Sequence, residues 1–277
     1  MKKKALLIAG AAAVVLAAPF CWWQNNGLTV SRYEYASEKV GRDLDGFTIV
    51  QLSDLHNHRF GEGQKRLLEM VAGLEPDLIV ITGDIVDCHR TDLIPALELT
   101  QGLTSLAPVY YVTGNHEWVL RDSLRRELLT RLEEAGATVL EDAVDRLEEG
   151  ITLVGLSDES LRGDALEELT ADLSRSNLTV LLAHRPHYLE RYAATGVDLV
   201  FSGHAHGGQV RLPLVGGLYA PGQGALPELT AGVHTDGETT MVISRGLGNS
   251  TFPQRMFNRP EVVAVTLRAV ESNAASD

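Results

Sequence analysis

Five short apolar runs in this 277-residue chain each end in a polar motif, and no other feature of the sequence constrains the fold as strongly. Each run has the length of a buried β-strand, and helical spacing of apolar residues follows the first three. Strands that alternate with helices predict a layered α/β fold. The five runs are Phe47–Leu52, Leu78–Ile81, Val109–Val112, Thr179–Leu182 and Asp198–Phe201.

Three further apolar runs extend the pattern over the rest of the chain. Ile151–Leu156, Met241–Ser244 and Val262–Leu267 are predicted strands. Because no internal repeat or long linker interrupts the pattern, residues 27–277 are predicted to form one domain, whose last seven residues are a solvated tail. Residues 1–26 are set apart as an N-terminal segment.

The polar motifs all follow predicted strands at the carboxyl end. In α/β sheets the carboxyl ends of the strands form the rim where ligands bind, so these side chains are expected to share one small volume. Imidazole nitrogens, carboxylates and an amide suit divalent Mn, Fe, Zn or Co. The seven candidate metal ligands are Asp54, His56, Asp84, Asn115, His184, His204 and His206.

Each motif alone has a structural alternative that carries no chemistry. An acidic residue in a turn after a strand is common, and a Gly-His-Ala-His sequence can be a surface loop. Seven polar side chains gathered in one buried volume, however, would leave charge and polarity uncompensated without a cation. The motifs together therefore predict a metal site.

Overall charge restricts the partners of the chain. The sequence has 24 lysines and arginines against 37 aspartates and glutamates, which gives a net charge of -13. An acidic surface repels polyanions, so no nucleic-acid partner is expected. Bound metal ions would supply the local positive charge that the sequence lacks. Two cysteines, Cys21 and Cys88, provide no disulfide framework.

The N-terminus has the pattern of a membrane anchor. Three lysines, Lys2 to Lys4, precede the apolar stretch Ala5–Phe20, and Trp22 and Trp23 follow it. The lysines favour the cytoplasmic side and the tryptophans the opposite headgroup layer, which predicts a domain outside the cytoplasm, at the cell membrane. A cleaved signal peptide is the alternative.

The ordered motifs resemble those of the calcineurin-like metallophosphoesterase superfamily. The segments Gly203–Pro213, Ser244–Gly248 and Asn258–Glu261 are similar to its membrane-associated bacterial branch, which includes YkuE-like and YaeI-like phosphodiesterases. The resemblance covers about residues 47–267. It implies a four-layer αββα sandwich, in which helices flank two mixed β-sheets.

The resemblance also implies roles for the candidate ligands. Asp84 would bridge two divalent metal ions, and His116 would lie near the leaving-group oxygen as the catalytic residue. Arg185 is a candidate phosphate contact because a guanidinium group matches phosphate geometry. Asp54, His56, Asp84 and His206 would hold the first metal, and Asp84, Asn115, His184 and His204 the second.

Hydrolysis of a phosphodiester or pyrophosphate is the implied activity, with attack by a hydroxide shared between two metals. Manganese is the first candidate for the metal pair, and Fe, Zn and Co are alternatives. A lipid-linked or cell-envelope phosphate, such as UDP-2,3-diacylglucosamine, is the candidate substrate. An envelope phosphomonoesterase and a non-catalytic metal-binding scaffold of the same fold are the alternatives.

Overall fold

A computed structural model describes residue 15 and residues 17–270 of the chain. Residues 17–26 are helical. Within the described part of the chain, no helix has both the length and the apolar character that a bilayer crossing requires. Most of the predicted anchor Ala5–Phe20 and the predicted tail, residues 271–277, lie outside the described residues.

The first β-sheet has six strands in the spatial order β1-β16-β2-β3-β4-β5. Strands β2, β3, β4 and β5 run parallel, whereas β16 pairs antiparallel with β2. The parallel strands therefore all point their carboxyl ends at the same edge. The strands are β1 (Thr29–Ser37), β2 (Thr48–Leu52), β3 (Leu78–Thr82), β4 (Val109–Val112), β5 (Thr138–Val139) and β16 (Glu261–Ala269).

The second β-sheet also has six strands, in the order β14-β15-β9-β8-β7-β6. Its four central strands are parallel and its two edge strands antiparallel to their neighbours, so both sheets are mixed. The strands are β6 (Ala143–Arg146), β7 (Ile151–Leu156), β8 (Leu178–Ala183), β9 (Leu199–Ser202), β14 (Gly232–Asp236) and β15 (Thr239–Ile243). Two small hairpins lie between β9 and β14, formed by β10 (Arg211–Leu212) with β11 (Gly216–Gly217) and by β12 (Tyr219–Ala220) with β13 (Gly224–Ala225).

Three apolar clusters define four layers. The central cluster joins side chains of both sheets, such as Ile49 and Val80 of the first with Val180 and Phe201 of the second. The two outer clusters each join one sheet to its own helices. The helices are Lys65–Ala72, Ile94–Leu103, Asn115–Trp118 and Asp122–Glu134 on the first sheet and Ala165–Thr170 and Leu189–Ala194 on the second. Five short 3-10 helices, Arg42–Leu44, Glu62–Gln64, Ser160–Arg162, Pro186–Tyr188 and His206–Gly208, occur in connecting segments.

The local sequence explains the central strands. Every residue of β3, β7 and β8 is buried, as expected for strands covered on both faces, whose sequences are continuous apolar runs. The prediction of an α/β fold with mixed sheets is confirmed. The predicted strands Val109–Val112 and Ile151–Leu156 coincide with β4 and β7, and the other predicted strands differ from the observed ones by one or two residues at an end.

Candidate metal centre

Loops after the parallel strands of both sheets meet at one edge and form a buried group of ligand-type side chains. Asp54, His56 and His206 are brought together from the loops after β2 and β9. His206 Nε2 lies 3.5 Å from Asp54 Oδ1 and 3.2 Å from His56 Nε2. These three side chains present nitrogen and oxygen atoms to a common point, as a metal site requires.

A second group lies beside the first and joins the two sheets. Asp84 Oδ2, after β3, lies 3.2 Å from His184 Nε2, after β8. His204 Nδ1 lies 3.2 Å from the same nitrogen of His184. Asp84 Oδ2 is also 3.7 Å from His56 Nε2. Asp84 is therefore the carboxylate that connects the two groups.

Asn115 completes the set of seven predicted side chains. It lines a cavity of about 480 Å³ together with Asp84, His116, His204 and His206. Its Oδ1 is buried and has no hydrogen-bond partner among the residues that the structure describes, and the same is true of Nε2 of His204. A buried polar atom without a partner is costly, so the donor set fits divalent cations. The structure thus brings all seven residues together, and their individual roles as ligands stay predictions.

His116 lies against this centre, at the wall of the cavity. Its ring is 4.4 Å from that of His56, measured between centroids. Nδ1 of His116 accepts a hydrogen bond from the backbone N–H of Cys88 at 3.1 Å, so this nitrogen carries no proton. The ring proton therefore resides on Nε2, which lies 3.2 Å from Oγ of Ser250. Because Nε2 is on the cavity side, it can donate a hydrogen bond to a bound oxygen.

Backbone strain is concentrated at the predicted ligand positions. Five of the seven predicted ligands have positive φ, the left-handed region that non-glycine residues rarely adopt. Such a conformation costs about 1–3 kcal/mol for each residue and clusters at functional sites. The φ values are 53° for Asp54, 45° for His56, 53° for Asp84, 64° for His204 and 47° for His206.

Glycine is needed where the loops touch. A Cβ atom on Gly203 would lie 1.9 Å from Oγ of Ser53 and 2.5 Å from Oδ2 of Asp54. On Gly114 it would lie 2.3 Å from Oδ1 of Asp84. Since real Cβ atoms do not approach other atoms so closely, both glycines allow the neighbouring strand ends to close around the carboxylates.

Burial and mutual charge set the protonation of the candidate ligands. Burial raises the pKa of the Asp54 carboxyl to about 6. Burial opposes charge on His184, but the Asp84 carboxylate outweighs it and raises the pKa of His184 to about 10. Burial lowers the pKa of His56 to about 3 and the pKa of His206 well below its usual value. A proton on His184 thus balances the negative charge of Asp84 when no cation does.

Two buried residues that the sequence analysis did not single out support the centre. The carboxylate of Glu117 accepts hydrogen bonds from the backbone N–H groups of Asp84, Gly114 and Val86, at 2.8, 2.8 and 3.1 Å. Gln51 Nε2 donates to the Ser202 carbonyl of the second sheet and to Oγ1 of Thr82 on the neighbouring strand β3, both at 2.9 Å. The available signal for Glu117 was its place three residues after Gly114, from which a glutamate can accept a hydrogen bond from the N-cap N–H.

Arg185, the predicted phosphate contact, is held by an acidic partner. Its Nε and Nη2 donate to the two carboxylate oxygens of Asp158, at 2.6 and 2.8 Å. Arg185 is not among the residues that line the cavity with Asn115 and His116. Its role in binding substrate stays a prediction.

Comparison with known proteins agrees with this geometry. The uncharacterized metallophosphoesterase YkuE of Bacillus subtilis (strain 168) is 30% identical over 254 residues, which cover 87% of this chain and 86% of YkuE. The phosphodiesterase YaeI of Escherichia coli (strain K12) is 32% identical over 228 residues, which cover 80% of this chain and 82% of YaeI. A Danio rerio transmembrane protein with metallophosphoesterase domain is 29% identical over 254 residues, or 85% of this chain and 56% of that protein.

The family match covers the whole candidate centre. Residues 47–208 match the family described as calcineurin-like phosphoesterase, and this span contains all seven predicted ligands and His116. The resemblance inferred from the ordered motifs is confirmed, including the relationship to YkuE and YaeI. The chain therefore belongs to the calcineurin-like phosphoesterase family and is a metallophosphoesterase, a hydrolase that acts on phosphoric ester bonds.

Proposed function

We propose that the chain hydrolyses a phosphodiester or pyrophosphate bond at a centre of two divalent metal ions. The observation that carries the proposal is the position of Asp84, whose Oδ2 lies within 3.7 Å of ligand nitrogens from both groups of side chains. A single carboxylate between two ligand groups is the arrangement that a bridged metal pair requires.

The roles proposed for the individual residues follow these two groups. Asp84 belongs to both sets, and His116 is the proposed catalytic residue. Manganese is the first candidate for both ions, because the mixed oxygen and nitrogen donors accept it, and Fe, Zn and Co fit the same donors. The first metal would be held by Asp54, His56, Asp84 and His206, and the second by Asp84, Asn115, His184 and His204.

The metal pair, when bound, supplies Lewis-acid polarisation of the phosphoryl group and a water molecule of lowered pKa. The protein itself contributes orientation and a hydrogen-bond donor. His116 points Nε2 toward the cavity and keeps its proton there, because Nδ1 is occupied by the Cys88 N–H. That N–H can donate a hydrogen bond that stabilises the negative charge developing on the oxygen of the departing group.

A lipid-linked or cell-envelope phosphate is the substrate class that we propose, and the N-terminal segment is proposed as a membrane anchor with the domain outside the cytoplasm. The support is the apolar sequence Ala5–Phe20 after three lysines, followed by Trp22 and Trp23. Residues 27–277 would then form the catalytic domain. Alkaline carbonate extraction of membranes that contain the full chain tests the anchor, because release into the supernatant would contradict it.

Activity and metal content of the purified full chain test the proposal. With Mn²⁺ the protein should hydrolyse bis-p-nitrophenyl phosphate faster than p-nitrophenyl phosphate, and metal analysis should find two ions per chain. Asp84→Asn should lose metal and activity together, whereas the matched control Asp172→Asn, at an exposed position, should keep both. An Asp84→Asn variant that retains both ions would contradict the bridging role of Asp84. A wild-type protein that binds two ions but hydrolyses neither ester would favour a non-catalytic scaffold.

A further inference from the structure

A five-residue segment, Asn249–Pro253, lies over the candidate metal centre and separates two cavities; we refer to it as the partition segment. Its central residues, Ser250, Thr251 and Phe252, line the cavity of about 480 Å³ that contains Asn115 and His204. Its end residues, Asn249 and Pro253, line a second groove of about 540 Å³ that reaches His56. Both cavities therefore lead to the same centre from opposite sides of the partition segment.

Contacts at both ends hold the partition segment in place. Arg255 Nε donates to Asn249 Oδ1 at 3.0 Å, and Gln209 Nε2 donates to the Phe252 carbonyl at 2.9 Å. The Pro253 carbonyl accepts hydrogen bonds from Asn249 and Asn25, at 3.0 and 2.8 Å. In the middle of the segment, Ser250 contacts His116. Hydrogen bonds at its two ends thus hold the partition segment in place, with Ser250 beside His116.

Away from the candidate metal centre, the two cavities are lined by side chains of different polarity. The outer wall of the first is apolar, with the side chains of Tyr219, Pro221 and Phe252. Phe252 is 54% exposed and Tyr219 is 60% exposed, so both aromatic rings retain apolar area that a ligand could cover. This wall suits an alkyl or acyl group, because covering such area removes it from water.

The second groove is polar and already balanced in charge. Its two arginines are paired, Arg90 with Asp87 at 3.0 Å and Arg59 with Asp92 at 3.6 Å, so neither is a free anion site. Side-chain amides complete the lining.

Three of these amides, those of Asn25, Asn26 and Asn57, donate one N–H to a backbone carbonyl. An amide carries two such hydrogens, so each has a donor left for a ligand oxygen. The groove therefore suits a neutral group that carries hydroxyl or carbonyl oxygens.

We propose that the partition segment sorts the two substituents of an amphiphilic phosphodiester, with the apolar substituent beside Tyr219 and Phe252 and the neutral polar substituent in the amide-lined groove. This inference rests on the proposed phosphodiesterase function and specifies its substrate. The phosphate itself would lie beneath the segment, next to His116, where the two cavities meet.

Three synthetic diesters test the sorting with the full-length, Mn²⁺-loaded protein: methyl glyceryl phosphate, hexyl glyceryl phosphate and hexyl propyl phosphate. The chain ratio is kcat/KM for hexyl glyceryl phosphate divided by kcat/KM for methyl glyceryl phosphate. The head ratio is kcat/KM for hexyl glyceryl phosphate divided by kcat/KM for hexyl propyl phosphate. Each buried methylene is worth up to about fourfold, so the wild-type chain ratio should be on the order of 10 or more. One or two hydrogen bonds to glyceryl oxygens predict a head ratio of about 5–30.

A variant in the apolar cavity should change only the chain ratio, and a variant in the amide-lined groove should change only the head ratio. Phe252→Ser should lower the chain ratio about fivefold, and the conservative Phe252→Leu should restore most of it. Asn26→Leu should lower the head ratio about fivefold by removing its amide. Val233→Ser is the matched control, because Val233 is an exposed apolar side chain on β14 that is not among the residues lining either cavity.

Wild-type ratios within about twofold of unity would overturn the sorting and leave the proposed function intact, provided that bis-p-nitrophenyl phosphate is hydrolysed. Equal loss of both ratios in Phe252→Ser and in Asn26→Leu would also overturn it, because a general disturbance of the centre would then explain both variants. Absence of hydrolysis of every diester by the two-metal protein would instead refute the proposed function, and the sorting with it.

Discussion

Metal binding should release a proton from His184. Both ring nitrogens of this histidine face acceptors, with Nδ1 at 2.7 Å from Thr82 O and Nε2 at 3.2 Å from Asp84 Oδ2. This environment keeps the imidazole charged, with a pKa raised to about 10. A nitrogen that coordinates a metal must be free of its proton, so binding has to displace it.

The size of the effect follows from that pKa. A pKa of about 10 lies about 3 units above pH 7, so apparent affinity for the metal that His184 binds should be about 10³-fold lower at pH 7 than above pH 10. Because the pKa is raised, affinity should increase with pH, about tenfold per unit from pH 7 to pH 9. Asp54, with a pKa of about 6, should add a second released proton only below about pH 6. Burial keeps His56 and His206 neutral at pH 7, so they should release none.

Calorimetric titration of chelator-treated protein with Mn²⁺ measures this release. At pH 7, titrations in two buffers of different ionisation enthalpy should give at least one proton released for each pair of ions bound, that of His184, and any proton lost by metal-bound water adds to it. His184→Asn should lower the release by about one proton, whereas His234→Ala, on β14 and away from the predicted ligands, should not change it. Binding of two ions to the wild type with no proton released would refute the proposed charge state of His184 and its role as a ligand.

Three substitutions test other parts of the centre. His116→Ala should lower kcat for diesters with alkyl leaving groups by about 10²–10³-fold and for nitrophenyl esters much less, and equal losses would remove its role as hydrogen-bond donor to the leaving oxygen. Gly203→Ala should lower the free energy of unfolding in urea by about 1–3 kcal/mol through overpacking, whereas Gly41→Ala, which has open space, should change it little. Arg255→Met should lower the free energy of unfolding by about 3 kcal/mol or more, because buried acceptors including the Gly248 carbonyl lose their hydrogen-bond donor. An unchanged urea midpoint would contradict this expectation.

The central strands could be predicted from the sequence because their signal is local. Runs such as Leu78–Ile81 and Ile151–Leu156 are apolar throughout, as strands covered on both faces are. Strand β1 (Thr29–Ser37) was not predicted, although Tyr33 and Tyr35 alternate with charged residues in the pattern of a half-buried strand, and its partner β16 lies at the other end of the chain. Its pairing depends on contacts over more than 200 residues, which no local pattern reveals.

The candidate ligands could be predicted for a related reason. Each follows a recognisable strand, and carboxyl ends of parallel strands meet at one edge. The contributions of Glu117 and of the partition segment could not be predicted in the same way. Glu117 accepts hydrogen bonds from backbone groups of two separate loops, and the partition segment reaches His116 only after the chain has crossed both sheets. Such contacts depend on the three-dimensional arrangement rather than on the residue types.

The left-handed backbone at five predicted ligand positions lowers folding stability at residues that the proposed activity needs. Glycine would adopt these φ angles without penalty, so replacing Asp54 or His204 by glycine would relax the chain while removing a donor atom. Selection for heat resistance alone, in the presence of a chelator, would therefore favour inactive sequences. Efforts to make this enzyme more robust should leave these loops untouched and seek gains elsewhere in the two sheets.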